Sequence, residues 1–182
     1  MLTVAIIGAG PLGRWLALSA ARAGFRVLLE DVMPTNLHHA REALRAELSA
    51  EALPNVAFVS TIEDAVREAD LAIDCVPDEL ESKLEIFCLL DRMAPPRTVL
   101  ATPTTRLSIA DLAACTYRAD KCIAIAAEAS SLAANPGSAI LLRTTSHTTP
   151  ETVALMEDFW RHLGFMPNFE ADAAEAIAGQ TV

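Results

Sequence analysis

At 182 residues the chain is long enough for one well-buried core, and its length argues for a single domain. A formal charge of -10 with no Lys/Arg cluster excludes the electrostatic footprint of a nucleic-acid binder. No apolar run approaches the roughly 18 to 20 residues of a membrane span, and the opening MLTVAIIGAG has no basic leader, which points to a cytoplasmic protein.

Apolar runs of strand length alternate with segments of helical period along the whole chain. That alternation is the signature of a doubly wound α/β fold, a mostly parallel sheet of about eight strands covered on both faces. The pattern predicts strands over 2–8, 26–30, 56–59, 71–74, 98–101, 122–126 and 138–143, with a short one near 166–169. Helices are predicted over 11–23, 34–52, 62–68, 79–93, 108–114 and 150–162. Punctuation agrees: Gly24 closes the first helix, Pro34 and Pro150 sit near helix starts, and Ala94-Pro95-Pro96 ends the fourth. Cys75, Cys88, Cys115 and Cys122 match neither a zinc ribbon nor a CxxC redox pair, so they read as reduced thiols and metal binding is not supported. The hydrophobic fraction of 52% against 21% charged is high for a small domain, so a homo-oligomer or a partner subunit is expected to cover part of the surface.

The strongest motif is VAIIGAGPLGRWLALSAARAG, a buried strand running into Gly8, Gly10 and Gly13 and on into a helix, with Pro11 and Leu12 between the last two glycines. The glycines serve different ends, with a tight turn at Gly8, room at Gly10 for a pyrophosphate, and helix-to-strand contact at Gly13. The next strand ends in LLEDV, which places Glu30 and Asp31 where a carboxylate holds the ribose hydroxyls of NAD and repels the phosphate of NADP. Asp31, at the strand end, is the expected ligand. The fourth strand ends in IDCVPDELESK, so Asp78 and Lys83 face the cofactor, or Asp78 caps the following helix and Lys83 is a surface charge. The fifth ends in LATPTTRLSI, where Thr105 is a candidate ligand beside Arg106 and Ser108 reads as a helix N-cap.

The order VAIIGAGPLG, LLEDVMP, IDCVPDELESKLEIF, ILLR and HLGFMP resembles the N-terminal NAD-binding domain of the 3-hydroxyacyl-CoA dehydrogenases, from the first residue to the last. The resemblance implies a Rossmann-type sheet, NAD as cofactor and a relation to fatty-acid metabolism. It carries the family's NAD residues onto Gly8, Gly10, Gly13, Asp31 and Lys83, puts Asp78 where the family has glutamate, and puts Thr105 where it has a substrate-contacting serine. The family's catalytic histidine falls on Ala126 or, if Asn135-Pro136 is the retained Asn-Pro, on Leu132. No carboxylate lies between Glu128 and Glu151 to serve as the glutamate that orients it. The segment from Asp31 to Ile62 is too short for the family's CoA-holding arm, and residues 1–182 are expected to form the dinucleotide-binding domain alone, without the helical C-terminal domain. The leading expectation is therefore an NAD(H)-binding or accessory module. The alternative is an oxidoreductase on a small 3-hydroxy acid, with Glu128 or His147 as base, Thr105 at the site and Arg106 meeting the substrate carboxylate.

Overall fold

The computed structural model describes residues 1–127 and 137–172. The elements run β1 (Thr3–Ile7), α1 (Pro11–Arg22), β2 (Arg26–Glu30), α2 (Pro34–Glu47), β3 (Val56–Val59), α3 (Ile62–Val66) and β4 (Leu71–Asp74). They continue with α4 (Leu80–Met93), β5 (Val99–Pro103), α5 (Ile109–Ala113), β6 (Cys122–Ile125), β7 (Ala139–Thr144), α6 (Pro150–His162) and β8 (Met166–Ala171). The eight strands form one sheet in the order β3-β2-β1-β4-β5-β6-β7-β8. Six are parallel; β7 pairs antiparallel with β6, and β8 follows β7 in parallel.

Side-chain alternation divides the core between the two faces of this sheet. Val4, Ile6, Val27, Leu29 and Ile73 pack with α1, α2 and α6 on one face. Ala5, Ile7, Leu28, Ala72 and Leu100 pack with α3, α4 and α5 on the other. Trp160, Phe159 and Phe165 meet edge to face at centroid distances of 5.5 Å, with Trp15 of α1 joining at 5.9 Å. Such pairs contribute about 0.5–1.5 kcal/mol each beyond area burial, and here they seat α6 against α1.

Helix starts follow the sequence. Thr61, Ser108 and Thr149 cap α3, α5 and α6, each accepting a backbone N–H three residues on. The predicted extension of α2 to residue 52 is not observed: the helix stops at Glu47 and Leu48 is extended. Ser49 then accepts the Ala52 N–H, and Leu53–Asn55 forms one 3-10 turn around Pro54. Only α2 and this turn lie between β2 and β3, so the connection carries no helical arm. At the far end of α4, Arg118 donates to Asp91 Oδ1 at 2.8 Å and to the carbonyls of Asp91, Ala94 and Pro95, satisfying helix-end acceptors that α4 itself cannot.

The chain builds β1, β2 and β3 outward in one direction and then returns to place β4 on the other side of β1. The loops leaving β1 and β4 diverge there, and a crevice opens at the carboxyl ends of the strands.

Candidate functional site

The turn after β1 fits only glycine at two positions. Gly8 has φ +103°, and a Cβ on it would stand 3.2 Å from the Cys75 backbone. A Cβ on Gly13 would lie 1.8 Å from the Gly8 carbonyl oxygen, which is incompatible with α1 resting on this turn. Gly10 differs: a Cβ there meets nothing within 4 Å, because it points into the open crevice. Gly10 is also the N-cap of α1 and provides no side-chain cap, so the first turn of a 12-residue helix starts uncapped beside the open space next to Gly10.

Two clefts flank this turn. The first, about 480 Å³, runs from Gly8, Gly10 and Pro11 to Val32, Ile62 and Ile86, and is mainly apolar. The second, about 440 Å³, is lined by Leu12, Asp78, Pro103, Thr105, Arg106 and Ala127 among others. Cys75 and Val76 line both and form the ridge between them. An apolar slot, an anion-binding turn and a more polar slot in that succession match the base, pyrophosphate and second nucleoside of a dinucleotide.

Asp31 lines the first cleft, yet its carboxylate is already held by protein. Oδ2 accepts from Ala9 N–H at 2.8 Å and from Asn36 Nδ2 at 3.1 Å, and Oδ1 accepts from Met33 N–H at 2.8 Å. It thereby ties the glycine turn to the start of α2. Glu30, which sequence reasoning ranks behind Asp31, also lines this cleft and is 5% exposed. Burial, reinforced by the neighbouring charge of Asp31, raises its carboxyl to about 7.

In the second cleft Asp78 does not cap α4; the N-cap is Glu79, without a side-chain bond. Asp78 Oδ1 is buried with no hydrogen-bond partner among the described residues, an acceptor left for a ligand. Arg106 reaches across from the β5–α5 loop, donating Nη2 to the Asp78 carbonyl at 3.1 Å, while its Nε stands 4.0 Å from Asp78 Oδ2. Thr104 folds the same loop, its hydroxyl accepting the N–H groups of Arg106 and Leu107. Thr105 is exposed and lines the cleft. Ser108 caps α5 as expected and donates to Asp172 Oδ2 at 2.8 Å.

Lys83, expected at the cofactor, lies elsewhere. It is fully buried and lines neither cleft. Its Nζ donates to Thr102 Oγ1 at 2.8 Å, to Asp74 Oδ2 at 3.3 Å and to the Val76 carbonyl at 3.4 Å. Thr102 in turn donates to Asp74 Oδ2 at 3.1 Å, and Asp74 Oδ1 accepts the Val76 N–H. The reason is electrostatic: Asp74 ends a central strand with no access to water, and a buried carboxylate needs a cation. Burial pushes the Asp74 carboxyl up while Lys83 opposes it. The lysine thus holds the ridge between the clefts from beneath.

Of the proposed bases, Glu128 lies outside the described residues, and so do Asn135 and Pro136. His147 is excluded by position. Because β7 runs antiparallel to β6, Thr144 pairs with Ile123, and the turn carrying His147 follows at the amino end of the parallel strands. Thr148 Oγ1 there bonds the Cys122 carbonyl, and Thr149 N–H bonds that of Asp120. The clefts open at the other end of the sheet. The titratable side chains among the described residues of the second cleft are Cys75, Asp78 and Arg106. Burial drives the Cys75 thiol far up, so it remains protonated. All four cysteines are free.

The comparisons with known proteins agree with this geometry. Residues 3–167 match the family described as 3-hydroxyacyl-CoA dehydrogenase, NAD binding domain. A probable 3-hydroxybutyryl-CoA dehydrogenase of Bacillus subtilis is 32% identical over 133 residues, covering 66% of this chain and 46% of that protein. The 5-formyl-3-hydroxy-2-methylpyridine 4-carboxylate 5-dehydrogenase of Mesorhizobium japonicum is 29% identical over 177 residues, covering 90% of this chain and 55% of that protein. The chain spans about half the length of these relatives. A solved 5-dehydrogenase acting on the same pyridine compound, described as an NAD+-dependent dismutase, superposes with TM-score 0.81 at 26% identity, covering 98% of this chain and 62% of that one. With the glycine turn, the open α1 terminus and the paired clefts, these matches show that the chain belongs to the NAD-binding domain family of the 3-hydroxyacyl-CoA dehydrogenases, and that NAD is its cofactor.

Proposed function

We propose that this chain is an NAD(H)-binding or accessory module that does not itself carry out dehydrogenation of 3-hydroxyacyl-CoA. One observation carries the reading: the second cleft presents threonines, Asp78 and Arg106 among its described lining residues, and no histidine. Bound NAD supplies a hydride acceptor. The chain's own residues bind and orient it: the α1 terminus receives the pyrophosphate, Gly10 leaves room for it, and the Asp78 oxygen accepts from a ligand hydroxyl or amide in the second cleft. A general base is the part the described cleft does not supply, and such a base contributes about 10² to 10⁴ in rate. The module is expected to act as a homo-oligomer or with a partner subunit.

Titration calorimetry with NADH, paired with NADH absorbance assays on 3-hydroxyacyl-CoA, tests the reading. Binding without turnover is expected. Failure to bind at millimolar NADH, or turnover at rates typical of an enzyme, would overturn it. Light scattering tests the assembly, and a monomer at high protein concentration counts against it.

A second reading is favoured by Arg106, whose side chain is 75% exposed at the rim of the second cleft and suits a carboxylate. On this reading the chain oxidises a short 3-hydroxy acid, with Glu128 as base; His147 no longer takes part. Activity on a panel of such acids that survives Glu128→Gln unchanged would refute that role.

A further inference from the structure

The first cleft contains one polar side chain with no hydrogen-bond partner among the described residues, that of Glu30. Glu30 ends β2, pairs in register with Ile7 and Val59, and gives its backbone carbonyl to the Gly8 N–H. No side-chain hydrogen bond or ion pair joins its carboxyl to the described residues, and it is nearly buried. Alternation along the strand turns it away from Asp31. Asp31 faces the glycine turn, whereas Glu30 shares the face of Leu28 and closes a slot walled by Ile7, Val32, Ile62, Val76 and Ile86. A slot with apolar walls accepts a flat ring, and a polar group at its edge that is not engaged elsewhere, as Asp31 and Asn36 are with each other, can meet that ring's edge.

We propose that Glu30 is a specificity-determining residue that reads the adenine of the dinucleotide, its carboxyl accepting a hydrogen bond from the exocyclic amino group of the base. The inference rests on NAD binding and adds a residue to it. With its carboxyl raised to about 7, Glu30 is partly protonated near neutrality and then also donates to a ring nitrogen, so both partners of the base edge are met. A carboxyl buried for this purpose destabilises the empty protein. A residue kept only for packing would not.

The test compares NAD with its etheno analogue, in which the exocyclic amino group is locked into a fused ring, by fluorescence and calorimetric titration of wild type, Glu30→Gln and Glu30→Leu. Wild type is expected to prefer NAD by about tenfold or more, the range of a good two-point contact with a base. Glu30→Gln, which keeps an acceptor and a donor, should retain the preference. Glu30→Leu should bring the two ligands to within about twofold while raising the melting temperature of the unliganded protein at pH 8. A loss of affinity with falling stability would mean a structural role and overturn the proposal. Equal binding of both ligands by wild type, or a preserved preference in Glu30→Leu, would do the same. If wild type binds neither ligand, the dinucleotide reading itself fails and this inference with it.

Discussion

Replacing Lys83 by Met removes the only cation bonded to Asp74 among the described residues, and Asp74 is a carboxylate with no solvent exposure. The Val76 N–H at 2.9 Å and the Thr102 hydroxyl at 3.1 Å remain, both neutral. Breaking a buried pair from one side costs about 3–5 kcal/mol. With a urea dependence of about 2 kcal/mol per molar for a domain of this size, the unfolding midpoint should fall by about 1.5–2.5 M at pH 7.5. The loss should shrink as pH falls. Without the cation the folded-state carboxyl rises further above its unfolded value, so the penalty exists above that raised value and is relieved as the group protonates. Replacing Asp74 by Asn in the same background should restore most of the midpoint, since the charge that lacks a partner is then gone. Urea titrations of the two single variants and the double variant give the coupling directly. A Lys83→Met protein with an unchanged midpoint but weakened NADH binding would refute this reasoning and return the lysine to the cofactor, where the family resemblance puts it.

Glu30→Gln should change how stability responds to pH in the unliganded protein. Between pH 4.5 and about 7 the folded state holds a proton that the unfolded chain has lost, so wild-type stability declines through that window and levels off above it. Carrying the carboxyl from 4.5 to about 7 costs the ionised folded state up to roughly 3 kcal/mol, which solvent screening at the cleft reduces to about 1–2 kcal/mol. The glutamine variant should be flatter and more stable at pH 8, and parallel thermal profiles would show that the carboxyl is not perturbed. Gly10→Val should leave the melting temperature within about 2 °C, because its side chain enters open space, yet weaken NADH binding at least tenfold by filling the phosphate position. Undiminished affinity would mean that the pyrophosphate does not lie there.

Much of the architecture is legible because the signals are local. Buried strands of a parallel sheet are short apolar runs, and β2, β3 and β4 begin and end where periodicity puts them. The glycine turn is readable as well, since its spacing is a local motif, although the demand at Gly8 comes from distant Cys75 and Gly10 faces open space. What escapes depends on partners distant in sequence. Lys83 looks like a surface or ligand lysine until β4 and β5 bring Asp74 and Thr102 beneath α4. His147 looks eligible because the sense of β7 is not written in its composition; only its pairing with β6 shows that the following turn lies at the wrong end of the sheet. Between adjacent acids on β2, position at the strand end favours Asp31, and the donors around Asp31 become visible only when Ala9, Met33 and Asn36 are placed.

The ridge of Cys75 and Val76 bears on how binding is divided energetically. Its amide and carbonyl at Val76 are fastened to Asp74 and Lys83, and the Cys75 N–H donates to the Ile7 carbonyl at 2.8 Å, so the protein's own bonds hold it in place. Backbone held in this way has less freedom to lose when a ligand binds along it, and both slots share the same edge. On the opposite bank Thr105 and Arg106 stand exposed. One wall of the crevice is braced from beneath by buried polar bonds, and the other offers exposed side chains.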